Sequence, residues 1–335
     1  MITRVLPWLL GVPAVIVGLG LLFQLVSLAE PRLYFTWAYY LEVLIAGTLQ
    51  GVMYSLVALG FVLIFKASSI FNFAQGSMVL FAALTMVGMI EWGLHWTLAF
   101  LVTAAVMILL ALVIERVVLR PLVNQPHIIL FMATIGIFYF LDGLGQTLWG
   151  SDVKQLDIGI PRSPIFILEG TFEGGILVNH FDVIAAAIGG VLVLILALFF
   201  QKTRVGRALR AVADDHQAAL SVGIPLKTIW AIVWSVAGIV ALVTGVIWGS
   251  KLGVQFTLAL IALKALPVLI LGGLTSIPGA IVGGLIIGAG EQVAEVFLST
   301  FIGSAIQDWF AYVLAMLFLL VRPEGLFGEK IIERV

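Results

Sequence analysis

Apolar residues dominate ten stretches of this chain, at 5–27, 37–64, 72–91, 96–117, 127–148, 181–200, 228–249, 256–274, 277–298 and 304–321. A helix needs about 20 mostly apolar residues to cross the roughly 30 Å hydrocarbon layer of a bilayer, and each stretch comes close to that length. The pattern predicts an all-α integral membrane protein of about ten transmembrane helices. The second stretch is long enough to tilt strongly, while Pro7 and Pro13 remove amide donors from the first and bend or shorten it. An even number of spans puts both termini on one side.

The cations say which side. Lys and Arg in short loops resist translocation, so they collect in the cytoplasm. With the amino terminus inside, Arg4, Lys66, Arg116, Arg120, Lys202, Arg204, Arg207, Arg210, Lys227, Arg322, Lys330 and Arg334 are cytoplasmic, twelve of the 17 Lys and Arg. Arg32, Lys154, Arg162 and Lys251 fall outside and Lys264 lies within a span. This bias predicts cytoplasmic termini.

Composition agrees with the pattern. Hydrophobic residues make up 62% and charged residues 10%, against about 45–50% and about 25% in soluble domains. A mean hydropathy of +1.20 spread over the length excludes a single anchor on a globular body. With no cysteine there is no disulfide framework, thiolate metal site or cysteine nucleophile. A formal net charge of −1 makes nucleic acid a poor partner.

Two connections are long. Residues 150–180 form an external loop holding Pro161, Pro164, Asp152, Asp157, Glu169 and Glu173, which either caps a pore mouth or simply connects. Residues 201–227 form an internal loop in which Arg204, Arg207 and Arg210 recur every third residue and Ala208 to Leu220 favours a helix, stopped by Gly223 and Pro225. Such a helix lies on anionic headgroups or is gripped by a soluble partner.

Six ionisable residues sit inside the spans: Glu42, Asp142, Lys264, Glu291, Glu295 and Asp308. Each costs about 2.5–3.5 kcal/mol at mid-bilayer on insertion scales, so they face inward or toward the interfaces. Lys264 needs a carboxylate such as Asp142, Glu291 or Glu42. It either lines a route for a carboxylate solute or belongs to a structural ion pair. Gly279, Gly283, Gly284 and Gly288 form two small-xxx-small pairs displaced around one helix, a spacing that lets helices approach closely in lipid.

Several motifs carry a resemblance. The stretches IFNFAQG (70–76), ATIG (133–136) with Leu148-Trp149-Gly150, LKALPVLILGGLTSIPGAIVGG (Leu263–Gly284) and VRPEGLFG (Val321–Gly328) occur in the order of branched-chain amino acid ABC permeases of the LivH type, which this chain resembles. The segment R-A-x-A-D-D-x-x-x-A-x-x-x-G-I from Arg210 resembles the coupling loop of ABC permeases. The resemblance implies the branched-chain amino acid/ribose importer permease fold as a single transmembrane domain over 1–335. Within it, 1–33 is an extra leading helix and 37–328 the family core. It places Arg207, Arg210, Ala213, Asp214, Asp215, Ala219 and Gly223 at an ATPase, and Asn72, Gln75, Gly76, Ser77, Thr134, Lys264 and Glu291 along a substrate route. Asn72 is placed to cap the next helix, with Gln75 and Gly76 offering a polar group and bare backbone at its start. A capped helix packed on its neighbours explains the same residues. Ser77 stands where the family often has Glu.

No GxxxxGK[ST] phosphate loop occurs, so energy for a permease comes from separate subunits. The resemblance implies no cofactor in this chain, ATP and Mg on two partner ATPases, a second related permease and a soluble binding protein, at a bacterial inner membrane. Solutes carried by such proteins include branched-chain amino acids, urea, short-chain amides and aromatic or other small carboxylates. An ion-coupled secondary transporter is the alternative, using the intramembrane carboxylates. No HExxH or GxSxG marks an enzyme.

Overall fold

The computed structural model describes residues 2–30, 33–122, 125–172, 174–214 and 216–328. Arg32, Glu173, Asp215, Lys330 and Arg334 lie outside the described residues, as do the side chains of Arg4 and Asp214. The chain runs through α1 (Ile2–Ala29), α2 (Trp37–Ser68), α3 (Gln75–Glu91), α4 (Trp96–Val113), α5 (His127–Trp149), α6 (His180–Lys202), α7 (Arg204–Asp214), α8 (His216–Ser221), α9 (Leu226–Leu252), α10 (Ile261–Gly272), α11 (Ile277–Ile302) and α12 (Phe310–Val321). Strands β1 (Pro164–Ile167) and β2 (Ile176–Asn179) form an antiparallel hairpin before α6, with Pro164 opposite Asn179 and Ile167 opposite Ile176.

Each of the ten apolar stretches holds a helix in the structure. Among the described residues six helices are long and apolar enough to cross a membrane, and four others, Pro13–Ala29, Gln75–Glu91, Phe256–Gly272 and Phe310–Val321, are apolar but shorter. Helix α1 is continuous through Pro7 and Pro13. Helix α4 leaves α geometry in a π-helical turn over Ile114–Leu119, where the wholly buried Glu115 pairs with Arg120 at 2.9 Å.

Helices α2, α3 and α9 are the most enclosed, while α4, α5 and α6 turn most of their surface outward. Leu101, Leu109, Met132, Phe140, Leu194 and Ile195 stand exposed on those outer helices, as suits a hydrocarbon solvent. The α2–α11 seam is the most extensive in the molecule, and glycine makes it possible. A Cβ on Gly288 would lie 2.4 Å from the Gly47 carbonyl oxygen, and one on Gly51 would lie 2.4 Å from that of Gly284. The displaced pair packs elsewhere: a Cβ on Gly279 would lie 2.1 Å from the Gly272 oxygen, and one on Gly283 2.6 Å from that of Val268, both on α10. One helix thus meets two neighbours backbone to backbone.

The leading helix is held by aromatic packing. Phe23 of α1 stacks on Phe297 of α11 at 4.8 Å, and Tyr40 of α2 donates to the Ile16 carbonyl at 2.9 Å. The 150–180 loop is fastened rather than free. Arg162 donates to the Ser250 carbonyl (2.8 Å), Lys154 pairs with Glu91 and bridges to Val254, and Lys251 pairs with Asp182 at 2.8 Å. Glu42 accepts from the Leu177 amide of β2 at 3.1 Å, so this carboxylate holds the hairpin instead of Lys264.

At the opposite end the tail motif acts as a strap. The Leu326 and Phe327 amides donate to the Leu271 and Gly272 carbonyls at 2.8 and 3.1 Å, satisfying acceptors left free where α10 stops. Gly273 (φ 103°) and Gly325 (φ 79°) make the crossing in left-handed backbone.

Candidate functional site

The first cluster surrounds the start of α3. Asn72, Gln75 and Ser77 are fully buried. Asn72 does not cap the helix directly: Phe73 and Ala74 form a turn first, and Asn72 Oδ1 accepts from the Ala74 amide at 3.2 Å while its carbonyl accepts from Gln75 N at 3.1 Å. Gly76 is not bare backbone beside an opening, because a Cβ there would lie 2.1 Å from the Ala259 carbonyl oxygen. Gln75 packs on Gly60 of α2, whose Cβ would meet Gln75 Nε2 at 2.1 Å, and Ser77 Oγ donates to the Ala74 carbonyl at 2.9 Å. Thr134 on α5 reaches the same segment, donating to the Phe71 carbonyl at 3.3 Å. The five residues are brought together as a packed joint among α2, α3, α5 and the turn before α10.

The second cluster is ionic. Lys264 Nζ on α10 lies 3.2 Å from Glu291 Oε1 on α11 and 3.2 Å from Asp308 Oδ1 before α12. The Glu291 side chain is 2% exposed, Lys264 33% and Asp308 67%, so the charges grade from the interior outward. Gln50 donates to the Tyr54 hydroxyl at 2.8 Å, and that hydroxyl sits beside Glu291. Tyr54 in turn stacks on Trp248 with centroids 5.4 Å apart. Tyr312 donates to the Leu263 carbonyl at 2.8 Å. Ala262, packed toward Gly76, and Lys264 are two positions apart on α10 and project from nearly opposite sides of it, so this helix stands between the two clusters. Among the described residues no three His, Cys, Asp or Glu side chains are placed to hold a metal ion.

The third element is the segment 201–227. Thr203 Oγ1 accepts from the Gly206 amide at 3.1 Å, and a Cβ on Gly206 would lie 2.0 Å from the Phe200 carbonyl, so glycine lets α7 fold back against the end of α6. The helix begins at Arg204, earlier than the alanine run. Gly223 stops α8 with φ 83°, and the Gly223 and Ile224 amides donate to Leu220 and Ala219 carbonyls, both at 3.0 Å. Arg204, Arg207 and Gly223 face outward and Ala213 is half-buried. Ala219, at 2% exposure, packs on the core instead of presenting a contact surface, and Arg210 turns back to donate to the Phe200 carbonyl. Leu220 and Val222, 55% and 79% exposed, are the exposed large apolar side chains among the described residues of this segment.

Residues 43–322 match the family described as the branched-chain amino acid transport system permease component. The chain belongs to this family. It is 30% identical over 308 residues to the high-affinity branched-chain amino acid transport system permease protein BraD of Pseudomonas aeruginosa, covering 89% of this chain and 98% of that protein. It is also 30% identical over 318 residues to LivH of Escherichia coli strain K12, with the same coverage of 89% and 98%. A solved structure, PsaBC from Streptococcus pneumoniae in complex with Fab, is similar at 14% identity and TM-score 0.43 over 83% of this chain and 90% of that one, a likeness that fixes no detail.

This permease component is therefore a multi-pass membrane protein of a transport system, not a catalytic subunit. The sequence alone names Lys264 and Glu291 but misses Asp308 as a partner, and it misses Gln50, Tyr54, Trp248 and Tyr312 entirely. Gln50 and Tyr54, four apart on α2, are the one local signal for that polar face. Leu220 and Val222 look unremarkable in an apolar chain and stand out only once their exposure is known.

Proposed function

We propose that this permease is one of two membrane subunits of an ABC importer of branched-chain amino acids, forming half of the solute route by ten spans with both termini in the cytoplasm. The match of residues 43–322 to the permease component family carries the reading. The substrate follows from the names of the relatives, each a branched-chain amino acid permease. ATP and Mg are bound by separate ATPases, a second permease completes the route, and a soluble protein delivers the solute at the outer face of a bacterial inner membrane. Lys264, one-third exposed beside the buried Glu291, supports a solute that carries a carboxylate.

The segment of α7 and α8 is the element that meets the ATPase. An exposed Leu220 and Val222 at the basic end of the bundle are the kind of apolar anchor that a partner's cleft covers. Its test is a cysteine at Val222 with purification from the native membrane in mild detergent. Cross-linking to a co-purified ATPase is expected at Val222 and Ala213 but not at Ala219, and Val222→Asp is expected to lower ATPase recovery by about tenfold or more, the loss of a hot-spot contact. Equal cross-linking from residues 119–126 would move the coupling element to that loop.

A further inference from the structure

At the basic end of the bundle a cavity of about 190 Å³ opens between α7, the ends of α2 and α6, and the turn from α10 into α11. Three stretches distant in sequence meet there: the start of the 201–227 segment, the GGLTSIPG turn and the tail strap at Phe327. Its polar wall is cationic. Lys66 Nζ donates to the Thr275 carbonyl at 3.2 Å and Arg210 donates to that of Phe200. Neither has a carboxylate partner among the described residues, and no Asp or Glu lines the cavity. An ammonium and a guanidinium hold more donors than these carbonyls use.

The same wall includes the N-cap Ser276 and the first residues, Ile277 and Pro278, of the 26-residue α11, whose dipole adds positive potential. Lys66 in the last turn of α2 and Arg210 on a last-turn carbonyl of α6 are eased by those helix ends, but no full negative charge lines the hollow, so its field favours an anion. The position selects the anion's source. The wall takes in the ends of α2 and α6 and the start of α11, which sets the cavity at the level where headgroups lie, and α6 leads into it from the hydrocarbon side with Leu194, Ile195 and Leu198 exposed above Phe200. Basic pockets between spans on the cytoplasmic side bind phosphorylated headgroups.

We propose that this cavity binds the phosphate of an anionic phospholipid, with Lys66 and Arg210 as its ligands and α6 guiding an acyl chain. Because α7 forms one wall and the α10–α11 turn another, the bound lipid ties the cytoplasmic helix to the transmembrane core. The site is separate from the solute route and does not depend on which solute is carried.

The test uses the full chain, purified with whatever subunits accompany it, and native mass spectrometry of retained lipid after titration with phosphatidylglycerol or phosphatidylcholine. Wild type is expected to prefer phosphatidylglycerol. Lys66→Gln with Arg210→Gln is expected to weaken it about thirty-fold, each cation contributing roughly fivefold, while phosphatidylcholine binding stays unchanged and shows the variant to be folded. The charge-preserving pair Lys66→Arg with Arg210→Lys should restore binding to within a few-fold. If the double variant does not fold, each single substitution is titrated and should show its fivefold loss. Phosphatidylglycerol affinity unaffected by these substitutions would overturn the site. Displacement of the lipid from wild type by millimolar inorganic phosphate would overturn the lipid assignment and leave a site for the free anion.

Discussion

Gly288→Leu is expected to yield no monodisperse permease in detergent, whereas Gly190→Leu, an equal change in volume, is expected to elute and melt as wild type does. The contrast follows from what each new side chain meets. At Gly288 a Cβ would stand 2.4 Å from the Gly47 carbonyl oxygen and 2.5 Å from both the Gly51 Cα and its amide nitrogen. All three are backbone atoms of α2, with no flexible side chain to swing aside, so α2 and α11 must separate. In lipid no hydrophobic force holds helices together, and their association rests on close packing and interhelical hydrogen bonds. Separation also breaks the Ser55 hydroxyl's 3.3 Å reach to the Ile281 carbonyl across the same seam. Overpacking in a core that can relax costs about 1–3 kcal/mol; here relaxation means giving up the largest interface of the fold. Gly190 sits on the outward side of α6 with nothing within 4 Å of an added Cβ. Size-exclusion profiles and thermal melts of the two variants decide it, and a well-folded Gly288→Leu protein would show that the seam is not in backbone contact.

Lys264→Met is expected to destabilise the permease by about 3 kcal/mol, and Glu291→Gln placed on top of it to recover most of that loss. Removing one partner of a buried pair costs about 3–5 kcal/mol, because the surviving charge is left without compensation. The lower end applies, since Lys264 is one-third exposed while Glu291 is 2% exposed. Glu291 is the member that suffers: its Oε1 loses the ammonium 3.2 Å away and its Oε2 has no hydrogen bond among the described residues. Neutralising it removes the stranded charge. Asp308→Asn, at a side chain two-thirds exposed, should change stability by less than about 1 kcal/mol. The cycle separates the two roles open to Lys264. If the ammonium attracts the solute carboxylate, uptake stays abolished in the stabilised double variant; if the pair is architectural, uptake returns with stability.

What the sequence reveals and what it conceals follow a physical division. Apolar helices are legible because hydropathy over 20 residues is local: each of the ten apolar stretches holds a helix, six of them, among the described residues, long enough to cross a membrane, and Gly223 ends α8 where it was expected. The glycine spacing of α11 announces two close approaches, yet only the structure says that Gly284 and Gly288 meet α2 while Gly279 and Gly283 meet α10. Partners far apart in the chain leave no such trace. Glu42 and Lys264 look equally available to each other, but Glu42 is taken by the Leu177 amide, 135 residues away. The hairpin 164–179 escapes notice because each strand is only four residues long, below the length at which alternation is readable. Asn72 misleads for a subtler reason: an Asx turn and a helix cap use the same side chain, and two residues of turn separate one from the other. Ala219 reads as a contact residue by motif and is a packing residue by burial.

The proposed function has this chain conduct branched-chain amino acids with energy supplied by partner ATPases. Uptake of radiolabelled leucine into proteoliposomes containing the co-purified complex and its binding protein measures it directly. Accumulation is predicted only with ATP available to the ATPases and unaffected by collapsing proton and sodium gradients. Leucine uptake by the chain alone, driven by an ion gradient without ATP, would contradict the account and assign the intramembrane carboxylates to a secondary transporter.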